Sequence, residues 1–563
     1  MNGERTSWRR LLAAWLATFF AFAAVAHGNF ETTDAGFTLL AARNLVHRGD
    51  SGILRADQGA TSVGEAEGAK LLAAGNCGKV GPDGIAYTWF PFGHQLLLVP
   101  FAWVGDSIER TWPVIDAAFR RRVAPGQTHE QAAYTPEHVR GSPVVLQGLV
   151  SLLVPPSCAA SILLLLFLLA RRLGAGERDA WITALAILLT TQCFAFGRET
   201  LSDGPGLVFL LATVLAVANV HAGAGARAAL LGGLCGGAAV LLRYQNAALL
   251  VPIGVALLLA CWRPRRLLPV GAFVLGVVPA ALLLLAANHA RFGNAFDTGY
   301  PRVDDWLDQP VWLGATKILF AAGRGVAWLS PIVWLALPLA MNRRVPVRWR
   351  WLAWLVFLFP LWFFGRARGW QGGECWAARY VTHGLVLLLA IVLPQTLPWR
   401  RWPKLWWALC AFGAFACLTS VVAPVRGVKQ LADQAAWSRG LLPDQVDAAD
   451  PVSWMPAYTP LVANWRYAFA SAHGEFERNG YERNDGSAIA AVFGATAASA
   501  DQTHAPIHWE DRNGRHLWWR FWGDLAKRPW WLLLLPTVAL AALFAWVAVR
   551  ARTPAASDSS TAR

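Results

Sequence analysis

Apolar residues fall along this chain in blocks that are long enough, or nearly so, to cross a bilayer, with short polar turns between them. We read about twelve spanning helices, at roughly 11–27, 146–170, 180–196, 203–221, 227–242, 246–262, 267–287, 325–341, 350–365, 378–394, 403–424 and 529–549. Several are shorter than about 20 residues, which places them among other helices rather than alone in lipid. The expected fold class is an all-α polytopic membrane protein. The first block follows Arg9 and Arg10 and reads as an uncleaved helix, because "AVAHGNF" makes a poor cleavage site for a signal peptidase.

One apolar stretch breaks the alternation. "PFGHQLLLVPFAWVG", residues 91–105, has proline near both ends, a histidine within it and too little length to span. It reads as an interfacial or re-entrant helix. Three long parts then face outward, at about 27–145, 288–324 and 425–528. The domain plan is a transmembrane module over 1–424, an extracytoplasmic region over 425–528, a last helix at 529–549 and a polar, disordered tail over 550–563.

Composition and charge sharpen this picture. The 563 residues are 55% hydrophobic and only 15% charged, far from a soluble multidomain chain. The net charge of +15 is no sign of nucleic acid, since the basic residues sit in short turns between apolar blocks. Placing the N-terminus in the cytoplasm makes every short inside loop basic, among them Arg171/Arg172/Arg178, Arg343/Arg344/Arg348/Arg350 and Arg400/Arg401/Lys404, and puts the C-terminus inside as well.

The candidate chemistry lies on the other side. Glu31 and Asp34 follow the first helix, before "AGFTLLAARNLVHRG", whose apolar positions Phe37, Leu40, Ala41 and Leu45 recur at helical spacing and whose stop is Gly49. Asp34 reads either as a helix cap or as a general base at the water–lipid boundary, with Glu31 the next candidate. "YTWFPFGHQLLLVP" sets Tyr87, Trp89, Phe90 and His94 beside the interfacial helix, as membrane anchors or as the wall of a groove. "GRETLSDGPG" carries Arg198, Glu199 and Asp203, as a solvated turn or part of a site.

Arginine recurs in the other outward turns. "LLRYQNAALL" has Arg243, "NHARFGNAFDTGYPRVDD" has Arg291 and Tyr300, and "FGRARGWQGGECWAARYVTHG" has Arg366, Arg368, Trp370, Glu374, Arg379, Tyr380 and His383. Arginine's permanent charge and forked donors suit a phosphate, and the faces of Trp and Tyr suit a sugar. Cys77 and Cys375 lie in outer loops, where an oxidising compartment lets them pair, with Cys193 a third party near an outer helix end. His504, His508 and His516 read as surface residues. The sequence has no nucleotide-binding glycine loop and no zinc-ligand spacing, so no cofactor is expected and a divalent metal is left open.

Taken in order, "TTDAGFTLLAARNL", "YTWFPFGHQLLLVPF", "RETLSDGPGLVFLL", "RFGNAFDTGY", "GRGVAWLSPIVWL" and "GWQGGECWAARYVTHG" resemble the GT-C membrane glycosyltransferases, the group of protein O-mannosyltransferases and bacterial aminoarabinose transferase. The resemblance covers roughly residues 10–395. It implies a bacterial inner-membrane enzyme that moves a sugar from a polyprenyl-phosphate-linked donor to a lipid, glycan or protein acceptor outside the membrane, with inversion. It implies Asp34 as the base and draws the donor phosphate's ligands from Arg243, Arg291, Arg324, Arg366, Arg368 and Arg379. The groove then takes in Tyr87, His94, Tyr300, Trp370, Glu374 and Tyr380. The chain departs from many relatives in having one acid here, Asp34 followed by Ala35, rather than two. The alternative reading is a transporter or lipid flippase, which calls for repeated halves and charge at mid-membrane.

Overall fold

The computed structural model describes residues 7–28, 30, 33–55, 78–115, 118, 144–262, 266–300, 307–367, 375–376, 378–425, 427–428, 431–432, 459–473, 492 and 514–550. The protein is a polytopic helical membrane protein. Seven of the described helices are long and apolar enough to cross a membrane: Val144–Arg172 (α4), Asp203–His221 (α6), Leu268–Phe292 (α9), Val347–Phe364 (α13), Arg379–Thr396 (α14), Pro403–Val422 (α16) and Trp531–Arg550 (α19). Shorter apolar helices at Ala226–Leu242 (α7), Asn246–Trp262 (α8) and Val311–Phe320 (α10) pack among them.

Helix α14 runs through the middle of the bundle and is buried along nearly all its length, whereas α9 and α19 leave most of their apolar surface uncovered, as helices facing lipid do. The first helix, Trp8–Ala23 (α1), lies against α4 and α19. Its Ser7 caps it by accepting from the Arg10 backbone N–H, one of the donors a helix start leaves over.

Helices α7 and α9 show how close packing arises from sequence. The run "GGLCGG" puts Gly233 and Gly237 on the face of α7 that meets α9, while Gly232 lies closest to Ala216 of α6 and Gly236 to Leu250 of α8. A Cβ added at Gly233 would strike the carbonyl oxygen of Phe273, and one at Gly276 the carbonyl oxygen of Leu230. Small residues at such a seam let two backbones touch, which is the main source of helix affinity where lipid is as apolar as leucine. Gly233→Val is expected to cost about 1–3 kcal/mol through overpacking. Melting of the purified variant in detergent, compared with Gly254→Val, whose Cβ meets open space, checks it.

The structure departs from the expected spans in two places. The block 325–341 is not one helix but two short ones, Val326–Leu329 (α11) and Val333–Leu339 (α12), broken at Ser330 and Pro331. Proline has no N–H to continue the ladder and pushes the residue before it out of the helical region. Second, the block 180–196 ends as an α-helix at Leu189 (Glu177–Leu189, α5) and goes on as the 3-10 turn Gln192–Gly197. The two irregularities repair each other. The Gln192 backbone N–H donates to Ser330 Oγ at 2.9 Å, and its side-chain amide donates to the Arg324 carbonyl at 3.2 Å. Polar backbone inside a membrane is tolerated where a neighbour satisfies it.

After α1, the helix Thr33–Arg48 (α2) forms where expected and stops at Gly49, whose φ of 77° is open to glycine. Asp34 lies in its first turn rather than before it, so the carboxylate does not stand at the cap position. A small antiparallel sheet follows, in the order β1 (Gly52–Arg55), β3 (Ile85–Thr88), β2 (Gly78–Val80), with Gly52 opposite Tyr87 and Gly78 opposite Thr88. The helical reading of this loop missed it. Strand β3 leads directly into the helix Phe92–Thr111 (α3), which is longer than the fifteen apolar residues suggested and carries Pro100 inside it. Helix α3 packs on α2 and α4. The remaining described helices are Pro398–Arg401 (α15), Pro460–Ala472 (α17) and Trp518–Leu525 (α18).

Candidate active site

Six segments meet at one cavity of about 730 Å³. They are the start of α2, the β3–α3 corner, the starts of α6 and α8, the end of α13 and the start of α14. Helix starts gather here, and their free N–H groups and dipoles favour negative charge nearby.

Two ion pairs form its polar centre. Arg379 Nη2 donates to Asp34 Oδ2 at 2.7 Å, joining the start of α14 to the start of α2 across 345 residues of chain. Arg243, which ends α7, pairs with Asp203 at the start of α6. The pairs touch each other, since Arg379 Nη1 lies 4.0 Å from Asp203 Oδ2. Asp203 is fully buried, Arg243 nearly so, and Asp34 is the most open of the four. Both guanidiniums lie against the ring of Tyr380, at 5.6 and 5.5 Å from its centre, so one aromatic side chain serves the two.

A second layer fixes Asp203. The His383 ring donates from Nε2 to the Asp203 carbonyl at 2.9 Å, and its Nδ1 lies 2.7 Å from Asn246 Oδ1. Asn246 is held in turn by donating to the Ala239 carbonyl at 2.9 Å. His383 is one helical turn past Arg379, so α14 offers both groups on one side.

Part of the lining is aromatic and apolar. Trp89 stacks on Tyr300 at 5.3 Å and 17°, and Tyr244 meets Tyr300 edge-on at 6.2 Å. Phe364 stacks on Tyr380 at 4.6 Å. From there Phe363, Pro360 and Phe359 carry the wall about a turn further along α13, opposite Ala247, Ala248 and Leu249 of α8.

Not every expected residue is here. Asp34, Arg243, Arg379, His94, Tyr300 and Tyr380 line the cavity. Arg291 does not: it is buried, and its Nη1 donates to the carbonyls of Thr88 (3.2 Å) and Phe90 (3.5 Å), holding the β3–α3 corner. Arg324 is buried just before α11 and is not in the lining, and Arg366 is exposed outside it. Tyr87 is also outside, its hydroxyl donating to Asp83 Oδ2 at 2.6 Å. Glu31, Arg368, Trp370, Glu374 and Cys77 lie outside the described residues, and with Cys77 the expected disulfide; Cys375 is buried.

Two further readings are corrected. Arg198 and Glu199 are not in a solvated turn. Arg198 is buried, its Nε donating to the Val25 carbonyl at 2.7 Å, and Glu199 Oε1 accepts from the Trp376 backbone N–H at 3.1 Å. His516 is not a surface residue but buried, 2.8 Å from the Val421 carbonyl; His504 and His508 lie outside the described residues.

Residues 148–289 match the family model of dolichyl-phosphate-mannose-protein mannosyltransferase. The matched stretch runs from α4 to near the end of α9 and holds Asp203, Arg243, Tyr244 and Asn246. It agrees with the membrane-glycosyltransferase resemblance drawn from the sequence. Among solved structures the chain is similar to ArnT from Cupriavidus metallidurans bound to undecaprenyl phosphate, at 14% identity and a TM-score of 0.45 over 96% of this chain and 77% of that one. It is similar also to ArnT from the same organism in the apo state, at 15% identity and a TM-score of 0.45 over 96% of this chain and 74% of that one. No curated protein matches the chain.

Asp203, His383 and Asn246 are the residues that the sequence reading did not assign. The signal for Asp203 was in view, since an acid in so tight a turn before an apolar helix is costly unless paired. His383 and Asn246 stood in the outer turns that carry Arg379 and Arg243, but nothing local gave either a role of its own. Among the described residues, no three His, Cys, Asp or Glu side chains converge as metal ligands do.

Proposed function

We propose that this chain is an integral-membrane glycosyltransferase of the bacterial inner membrane, with both termini in the cytoplasm. It transfers a sugar from a polyprenyl-phosphate-linked donor to an acceptor on the extracytoplasmic face, with inversion at the anomeric carbon. The observation that carries this reading is the cavity's mixed lining. Two arginines, each matched to an aspartate, stand beside a run of phenylalanines and aliphatic residues. A lipid phosphate has the same character, an anionic head on an apolar chain. The match of residues 148–289 to a family named for a polyprenyl-phosphate sugar supports the same donor class.

In this reading Arg379 and Arg243 take the donor phosphate, and the Trp89–Tyr300 pair flanks the sugar. Asp34 accepts the proton of the acceptor's hydroxyl or amine as that atom bonds to the anomeric carbon. The anomeric C–O bond breaks on the opposite side, and its electron pair leaves with the phosphate oxygen. The lipid departs as polyprenyl phosphate.

The test is turnover by the full chain in lipid, given polyprenyl-phosphate-linked sugars and envelope extracts as acceptors. Release of free polyprenyl phosphate, together with a product of inverted anomeric configuration, is expected. Binding and passage of the donor across vesicles with no bond broken would sink the enzyme reading in favour of a flippase.

A further inference from the structure

Among the polar side chains that line the cavity and have no task in the reaction above, one is buried with a ring nitrogen unpartnered. His94 lines the cavity from the first turn of α3 and is only 3% exposed, yet its Nε2 has no hydrogen-bond partner among the described residues. It differs in this from His383, whose two ring nitrogens both face oxygen atoms. A buried polar nitrogen that meets nothing is costly, and in a cavity wall the natural remedy is a group on the ligand.

We propose that His94 reads the donor's sugar, exchanging a hydrogen bond with one of its hydroxyls and so helping to set which sugar is accepted. The proposal rests on the transferase reading and deepens it. Chemistry favours a hydroxyl over the phosphate. Burial holds the imidazole down to about 4, with Asp203 pulling up and Arg243 pulling down, so the ring is neutral at physiological pH. A neutral imidazole has one N–H and one lone pair, matching a hydroxyl, which both donates and accepts. The phosphate, an acceptor only, has the two guanidiniums beside it. The position is also apt, since His94 follows the β3–α3 corner, whose Trp89 forms the aromatic face with Tyr300 from beyond α9.

The test compares wild type, His94→Leu and His94→Gln, each as the full chain in lipid. The donors are polyprenyl-phosphate-linked mannose, glucose and galactose, and bare polyprenyl phosphate is the competitor. For the preferred donor, kcat/KM in His94→Leu is expected to fall about ten- to a hundredfold. The preference among the three sugars should narrow. Inhibition by bare polyprenyl phosphate, which has no sugar to read, should stay unchanged. His94→Gln, whose amide keeps a donor and an acceptor, should recover part of the loss. The proposal is overturned if His94→Leu weakens bare polyprenyl phosphate as much as the sugar-linked donors, for then the residue serves the phosphate or the fold. It is also overturned if the sugar preference is untouched. If wild type itself consumes none of the donors, the transferase reading fails and takes this proposal with it; active wild type with an unchanged preference in the variant removes the proposal alone.

Discussion

Asp34→Asn is expected to lower turnover about a hundredfold or more, the range lost when a general base is removed. The substitution keeps the side chain's shape, and its amide oxygen still accepts from Arg379. What it loses is the ability to take a proton. The variant should therefore fold, bind polyprenyl phosphate and melt near wild type, while releasing little product. Steady-state release of polyprenyl phosphate, with the melting temperature as the control for folding, checks this. Equal turnover in the two proteins would leave Asp34 a partner for Arg379 and no more, and Glu31 would be the next acid to replace.

The second large effect concerns stability. Arg243→Met removes the nearest counter-charge of Asp203, a carboxylate with no exposed side-chain surface. Stranding one half of a buried pair costs about 3–5 kcal/mol, because the remaining charge must stay desolvated or take up a proton. The Arg379 guanidinium at 4.0 Å offsets a part of that. Melting should fall sharply in Arg243→Met and recover in the double variant Arg243→Met/Asp203→Asn, where no charge is stranded. The double variant should remain inactive, since a phosphate ligand is gone. A single variant as stable as wild type would mean that Asp203 is not held as an anion by Arg243, and the ion-pair account of the cavity would have to be given up.

The sequence allowed the bundle to be read because lipid imposes a simple rule: a helix must be apolar for the width of the membrane. Eleven of the twelve blocks hold one described α-helix each, and the twelfth, 325–341, holds two short ones because Ser330 and Pro331 interrupt an otherwise apolar run. Arg379 and Arg243 were legible as charges held at helix ends with nowhere cheap to go. Arg291 carried the same signature, but its partners are the carbonyls of Thr88 and Phe90, 203 and 201 positions away. Nothing local separates an arginine that will meet a ligand from one that ties down a corner. The small sheet was hidden for a related reason. Its strands are three or four residues long, too short for alternation to show, and exist because β3 finds partners on both sides.

The link between Arg379 and Asp34 has a consequence for how charge moves during the proposed reaction. Before transfer, Asp34 is an anion and the donor phosphodiester carries one negative charge. Afterwards Asp34 holds the acceptor's proton, and the departing phosphate monoester can carry a second negative charge, partly at neutral pH. The charge lost at one place is gained at the other, and the pocket as a whole need not change its sum. A single guanidinium with one branch already on the carboxylate can follow that charge across by changing its grip, while its helix stays where it is. Water that is slow to reorganise then has little to do at the moment of transfer.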